Sequence, residues 1–117
     1  MTAHIDYTYS IKESVIIFKF NWEFTNENAW RIFDRVVADI MENGKFDVII
    51  NMKSVDTINS RVAWWFAWIY EKIDIFWWNV YVTNMNNFVD DTLDLLWMYL
   101  FLRKATTEEE ALKWLKD

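Results

Sequence analysis

The sequence predicts a single α/β domain, and three observations support this class. Short apolar, β-branched segments alternate with longer segments of helical periodicity, in the order ββαβαβα(β)α. The chain has 117 residues, a length that suits one core. It contains no linker, internal repeat or low-complexity run that would separate two domains. We therefore expect one domain over residues 1–117.

Four segments are predicted to be strands, and a fifth is a candidate. Apolar and polar residues alternate from Ile5 to Ile11, the pattern of a half-buried strand. The polar break at residues 12–14 and the apolar run that follows predict a hairpin. The second strand of this hairpin starts at Val15. A third strand is predicted from Phe46 to Met52 (FDVIINM) and a fourth at residues 80–83 (VYVT). The candidate fifth strand is a short edge strand at residues 100–104.

Four helices are predicted from apolar spacing and from start and stop signals. The first starts after a cap at Thr25 or Asn26 and stops at Asn43–Gly44, and the second runs from a cap at Ser60 to about Phe76. The third covers about Asn87 to Met98. Thr106 and Thr107 are each followed three residues later by Glu, which predicts a capping box at the start of the fourth helix.

The stretch FWWNVYV at residues 76–82 conflicts with ordinary turn chemistry. A connection this short between a helix and a strand normally needs a residue that accepts positive φ, which means Gly or Asn. Two tryptophans stand there instead. The whole chain has 9 Trp, 1 Gly and no Pro, whereas Gly is usually about 7% and Pro about 5% of residues.

Composition argues against several classes of function. There is no Cys, and His4 is the only histidine, so triads and zinc sites lack their parts. The formal charge of −6 with scattered basic residues argues against nucleic acid. The apolar runs are too short to span a membrane, and the N-terminus has no signal-peptide pattern, which favours the cytoplasm.

Asp90, Asp91 and Asp94 could hold a cation, but a solvated helix face is the simpler interpretation. We expect no enzyme, no cofactor and no metal.

One segment, SVDTINSRVAWWF, suggests a site. A buried strand ends, a short polar loop follows, and Ser60 falls at the start of a helix. A hydroxyl there lies near unpaired backbone N–H groups and the positive end of the helix dipole, which favours a phosphate. On geometry alone, a simple N-cap role for Ser60 is clearly the favoured explanation.

From about Ile5 to Leu115 the chain resembles the STAS domain, the module of anti-sigma factor antagonists and of sulfate transporter tails. KESVIIFKFNWEFTNENA resembles the opening hairpin with its Gly-Glu-Leu-Asp segment, and DVIINMKSVDTINS resembles the central strand and the loop that usually ends Asp-Ser-Ser-Gly. ATTEEEALKWL resembles the last helix. The resemblance implies a mixed sheet of about four or five strands with about four helices, mainly on one side.

The resemblance also implies a function and a site. Anti-sigma factor antagonists bind a kinase-type anti-sigma factor and are released when a loop serine is phosphorylated. Ser60 matches the first Ser of that loop, Arg61 occupies the column of the usual acceptor, and Asn59 replaces Asp. The implied partner is an anti-sigma factor or a related kinase-like protein. The implied binding loop comprises Asp56, Thr57, Ile58, Asn59, Ser60, Arg61 and Val62.

Two other interpretations remain open. One is a ligand-binding relative that holds a lipid or a nucleotide in an apolar pocket. The other is an engineered scaffold with no native function. A bound small molecule would favour the first of these, and co-purification with a histidine-kinase-like ATPase would favour partner switching.

Most tryptophans of this chain fall on glycine columns of the family. Gly and Trp share neither volume nor backbone freedom, so the pattern indicates a substitution rule. Some bacteria read the codon UGA as glycine. If such a gene is translated with a code in which UGA means Trp, each of these glycines is written as Trp. Deliberate engineering is the alternative. Trp30, Trp65 and Trp114 lie outside the pattern. The six positions within it are Trp22, Trp64, Trp68, Trp77, Trp78 and Trp97.

Overall fold

A computed structural model describes residues 7–20, 29–44, 47–74 and 79–116. Within these ranges, the α/β class and the predicted order of elements are confirmed. The elements are β1 (Tyr7–Lys12), β2 (Val15–Phe20), α1 (Ala29–Asn43), β3 (Asp47–Asn51), α2 (Ser60–Asp74), β4 (Val80–Thr83), α3 (Asn87–Leu95), a 3-10 turn (Met98–Leu100), β5 (Arg103–Ala105) and α4 (Glu108–Lys116). The predicted cap of the first helix and residues 76–78 of the FWWN stretch lie outside the described residues.

The described strands form one mixed sheet in the order β1-β2-β3-β4-β5. β1 and β2 are antiparallel, which confirms the predicted hairpin, and β2, β3, β4 and β5 are mutually parallel. The hairpin closes with a two-residue turn at Glu13–Ser14, so that Lys12 lies opposite Val15. Glu13 takes a φ of 58°, because a tight hairpin turn requires positive φ at its first central residue.

Strand alternation divides the core between the two faces of the sheet. On β3, Val48 and Ile50 face the larger cluster, whereas Ile49 faces the smaller one. α1, α2 and α3 contribute apolar residues to the larger cluster, and α4 contributes Ala111 to the smaller one. The helices therefore lie mainly on one side of the sheet, as predicted.

Two predicted boundaries were wrong, and both lie at the same junction. α3 ends at Leu95 and not at Met98, because Trp97 adopts a φ of 63° and stops the helix. The edge strand β5 begins at Arg103, three residues after the predicted start at residue 100. Between α3 and β5 lies the 3-10 turn at Met98–Leu100. Leu102, just before β5, has a buried side chain.

Candidate protein-binding site

The loop between β3 and α2 starts at the carboxyl-terminal edge of the parallel strands, where open α/β sheets commonly bind their ligands. Asn51 ends β3 and is buried. Its amide donates a hydrogen bond of 2.7 Å to Glu108 Oε1, and its Oδ1 accepts one of 2.8 Å from the backbone N–H of Lys53. These bonds attach the start of the loop to α4.

The middle of the loop is attached to the domain in two further ways. The side chains of Val55 and Ile58 are buried in the larger core cluster. Asn86 caps α3 by accepting a bond from Val89 N at 2.8 Å, and its amide donates to the Asp56 carbonyl at 2.9 Å. The loop backbone therefore has a defined position relative to α3.

The N-cap of α2 is Asn59, and the prediction that Ser60 is the cap was wrong. Asn59 Oδ1 accepts a hydrogen bond of 2.9 Å from Val62 N, and the Asn59 carbonyl accepts one of 3.0 Å from Ala63 N. Ser60 is the first helical residue, and its side chain is exposed. Because Asn and Asp cap through the same side-chain oxygen, Asn59 in place of Asp conserves the cap.

The residues predicted to form the binding loop divide into exposed and buried sets. Asp56, Asn59 and Ser60 are exposed, and Thr57 is half-buried. Ile58 and Val62 are buried in the larger cluster, so these two anchor the loop and do not face a partner. The side chain of Arg61 lies outside the described part of the structure.

An apolar groove lies along the outer face of α2, beyond the predicted loop. It has a volume of about 440 Å³, and its walls include Trp64, Trp68 and Phe101. Trp68 packs edge to face on Trp65, with ring centroids 5.6 Å apart. No pattern in the sequence links Phe101 to this groove, because a short strand predicted at residues 100–104 carries no information about contact with α2.

Trp97 occupies the position after α3 where glycine is usual. Its φ of 63° and ψ of 24° are left-handed, and its N–H donates to the Asp94 carbonyl at 3.1 Å. This is the inner hydrogen bond of a Schellman motif, which glycine normally terminates. The Trp97 side chain is 72% exposed, so little packing offsets the strained backbone.

Asp90 of α3 has a structural role in the fold. Asp90 accepts hydrogen bonds from the Tyr99 hydroxyl and from Lys104 Nζ, the latter at 3.2 Å. The Tyr99 bond is the main reason that the pKa of Asp90 is lowered. Among the described residues, no group of three or more His, Cys, Asp or Glu side chains is placed to hold a metal ion.

Comparison with solved structures identifies the architecture. A crystal structure of a candidate anti-sigma factor antagonist from Thermotoga maritima superposes with a TM-score of 0.88, at 21% identity and over 95% of both chains. The chain has the STAS fold. An anti-sigma factor antagonist from Mycobacterium paratuberculosis gives a TM-score of 0.82 at 14% identity, covering 97% of this chain and 96% of its own. The unphosphorylated anti-sigma factor antagonist SpoIIAA gives 0.79 at 13% identity, covering 95% and 96%.

Comparison of the sequence alone finds no relatives, whereas comparison of the structure does. No family model matches the chain, and no curated protein matches its sequence. The STAS fold is thus recognisable from the backbone although its sequence signal is weak. In the described residues, no helix is both long enough and apolar enough to cross a membrane.

Proposed function

We propose that this protein is a non-catalytic, cytoplasmic binding module of partner-switching signalling. It binds an anti-sigma factor or a related kinase-like protein through the exposed residues of the loop at 56–62 and the start of α2. The observation that carries the proposal is the exposed position of Ser60 beside the Asn59 cap. Support comes from similar structures that are anti-sigma factor antagonists, including SpoIIAA in an unphosphorylated and a phosphorylated form.

The position of Ser60 suits a phosphoryl switch for electrostatic reasons. A phosphoserine carries a charge of about −1.5 to −2 at pH 7. At the first residue of α2, this charge lies near the positive end of the helix dipole and near backbone N–H groups of the first turn, which stabilises the modified chain. The same charge changes the surface that a partner would cover, and so it would weaken binding of a partner that fits the neutral serine.

We expect phosphorylation at Ser60 and release of the partner by it. The kinase-type anti-sigma factors of the same genome would be purified singly and incubated with the protein and ATP. Phosphopeptide mapping should place the phosphate on Ser60, and calorimetry should show that Ser60→Asp weakens binding at least tenfold. Ser60→Ala should bind but resist release by ATP.

Ser54 provides the matched control for this experiment. It is an exposed serine in the same connection, before the proposed surface begins. Ser54→Asp introduces the same charge and should bind like the wild type. A phosphate mapped elsewhere, together with a Ser60→Ala variant that is released like the wild type, would refute the proposed switch.

The groove along α2 favours a second candidate function, in which the protein holds a lipid or a nucleotide in an apolar pocket. A native mass spectrum of the purified protein tests it, since a bound lipid or nucleotide adds a discrete mass. Trp64 and Trp68 form part of this groove, and both are among the tryptophans at family glycine positions. For this alternative to hold, the variant with glycine at both positions must still carry the bound ligand.

A further inference from the structure

The outer edge of β1 has a feature that the proposed function does not use. β1 is the terminal strand of the sheet in the described residues, and β2 is its only neighbour there. All of its residues after Tyr7 are exposed. An edge strand of this kind has backbone groups directed outward, which can pair with another strand.

The hairpin geometry shows which backbone groups point outward. Lys12 and Val15 flank a two-residue turn, so they form a hydrogen-bonded pair in the ladder. Such pairs alternate along an antiparallel ladder, which makes Ser10 and Thr8 the other residues bonded to β2. The N–H and C=O groups of Tyr7, Tyr9 and Ile11 therefore point away from β2.

The side chains of the same residues leave an apolar patch beside this edge. Tyr9 and Ile11 are 44% and 43% exposed. Tyr9 contacts Phe18 with ring centroids 5.7 Å apart, which places it on the side of the larger core cluster. At the first residue of the strand, the Tyr7 hydroxyl donates to Asp39 Oδ2 of α1 at 2.5 Å.

We propose that β1 pairs in antiparallel register with β1 of a second copy of this chain. In the two-fold arrangement Ser10 lies opposite the partner's Ser10, and Tyr9 lies opposite the partner's Ile11. Outward-pointing groups then meet outward-pointing groups, and each exposed apolar side chain meets one of the other copy. Lys12 falls opposite the partner's Thr8, so no like charges face each other.

A second copy fits this edge better than a different partner because the pattern is self-complementary. The two-fold operation pairs Tyr9 of each copy with Ile11 of the other, both of them outward-directed, and keeps both apolar patches on one face. The strand also lacks the usual blocking devices, since it contains no Pro and only one charged residue, Lys12. A single strand pair buries little area, so we expect a dissociation constant on the order of 10–100 µM.

Sedimentation velocity from about 1 µM to about 200 µM tests this inference. The wild type should shift from monomer to dimer over this range. Tyr9→Pro removes an outward N–H without removing a bond to β2, and it should remain monomeric. Tyr9→Ala is its matched control, because it keeps the N–H, and it should retain dimerisation with weaker affinity.

Ile11→Glu provides an independent variant at an exposed position, should Tyr9→Pro fail to fold. It places a carboxylate against the partner's Tyr9 and should also be monomeric, with an unchanged circular dichroism spectrum. A wild type that stays monomeric throughout, or a dimer that survives in both Tyr9→Pro and Ile11→Glu, would overturn the inference. Ser60→Asp should dimerise normally, which separates this test from that of the proposed switch.

Discussion

At the level of single residues, Trp97 shows a local conflict between side chain and backbone. Left-handed backbone costs a non-glycine residue on the order of 1–2 kcal/mol, and it is least tolerated by bulky residues. Asn84 also has positive φ, at 58°, but its short polar side chain tolerates that conformation. Trp97 has no such compensation. The backbone at this position is therefore the kind that selects glycine.

We predict that Trp97→Gly stabilises the protein by about 1 kcal/mol, since relief of about 1–2 kcal/mol of strain exceeds the entropy of about 0.4–1 kcal/mol that glycine adds to the unfolded chain. Trp64→Gly is the matched control. Trp64 is also largely exposed, at 58%, but it lies in regular α2 backbone, where glycine costs about 0.5–1 kcal/mol relative to alanine. Urea denaturation should give opposite signs for the two variants. Equal signs would contradict the strain argument.

The same reasoning predicts the codons of the gene. We expect UGA at positions 22, 64, 68, 77, 78 and 97, and the mass of the protein from its source cells should then correspond to glycine at all six. Trp30, Trp65 and Trp114 serve as internal controls and should be encoded by UGG. UGG at all six positions would refute recoding and would favour an engineered sequence.

At the level of elements, the junction from α3 to β5 is organised around Asp90. The Tyr99 hydroxyl comes from the 3-10 turn, and Lys104 comes from β5, so one carboxylate joins three elements. Lys104 Nζ also lies 5.0 Å from the centre of the Tyr99 ring. The arrangement lowers the pKa of Asp90, and it raises that of Tyr99, mainly through burial and then through the bond to Asp90.

We predict that Tyr99→Phe costs about 1 kcal/mol at neutral pH, because Asp90 loses a donor but keeps Lys104 and solvent. The folded-state pKa of Asp90 is below its ordinary value of 3.8, so its contribution is present above pH 3.8 and is lost as the pH falls. The difference between wild type and Tyr99→Phe should therefore shrink below pH 3.8.

At alkaline pH, Tyr99 makes the stability of the protein fall as the pH rises. Unfolded tyrosine ionises near pH 10, whereas the pKa of folded Tyr99 is raised, so the stability of the wild type should fall above pH 10 more steeply than that of Tyr99→Phe. Tyr9→Phe, at an exposed tyrosine of β1, is the matched control for both pH ranges when all proteins are kept at about 1 µM, below the proposed range of dimerisation. Thermal denaturation from pH 2 to pH 11 measures all three proteins. A difference that stays constant with pH would contradict the assignment.

The fourth helix shows how well local chemistry can be predicted. Thr107 Oγ1 accepts a hydrogen bond of 3.2 Å from Glu110 N, and Glu110 Oε1 accepts one of 3.1 Å from Thr106 N. A capping box was predicted here from the spacing of Thr and Glu alone. The cap by Thr107 was confirmed, although Glu110 accepts its reciprocal bond from Thr106, one residue before the cap. Such local features are predictable because all of their partners lie within about one turn of chain.

At the level of the whole molecule, the sheet determines where both proposed surfaces lie. The loop with Ser60 follows β3, in the middle of the sheet, and the dimerisation edge is the terminal strand β1. α1, α2 and α3 contribute to the larger core cluster on one face of the sheet, whereas α4 packs on the other. The proposed partner-binding surface and the proposed dimer edge therefore lie on different strands.

The sequence by itself determined the class, the order of elements, the hairpin and the position of Ser60 at the start of α2. These depend on apolar periodicity and on caps, whose interactions span a few residues. It could not distinguish Ser60 from Asn59 as the cap, because both side chains can accept the same hydrogen bond. Only the backbone direction at that point decides which residue is already helical.

The tertiary structure alone decided which side chains of the loop face outward and how the strands are ordered. Ile58 and Val62 are anchors because α2 packs its inner face on the sheet, and Phe101 contributes to a groove because the 3-10 turn lies against α2. Asn51 and Glu108 meet across 57 positions of sequence. Contacts between distant segments depend on how helices and strands pack, and a pattern that repeats every two or four residues carries no information about that distance.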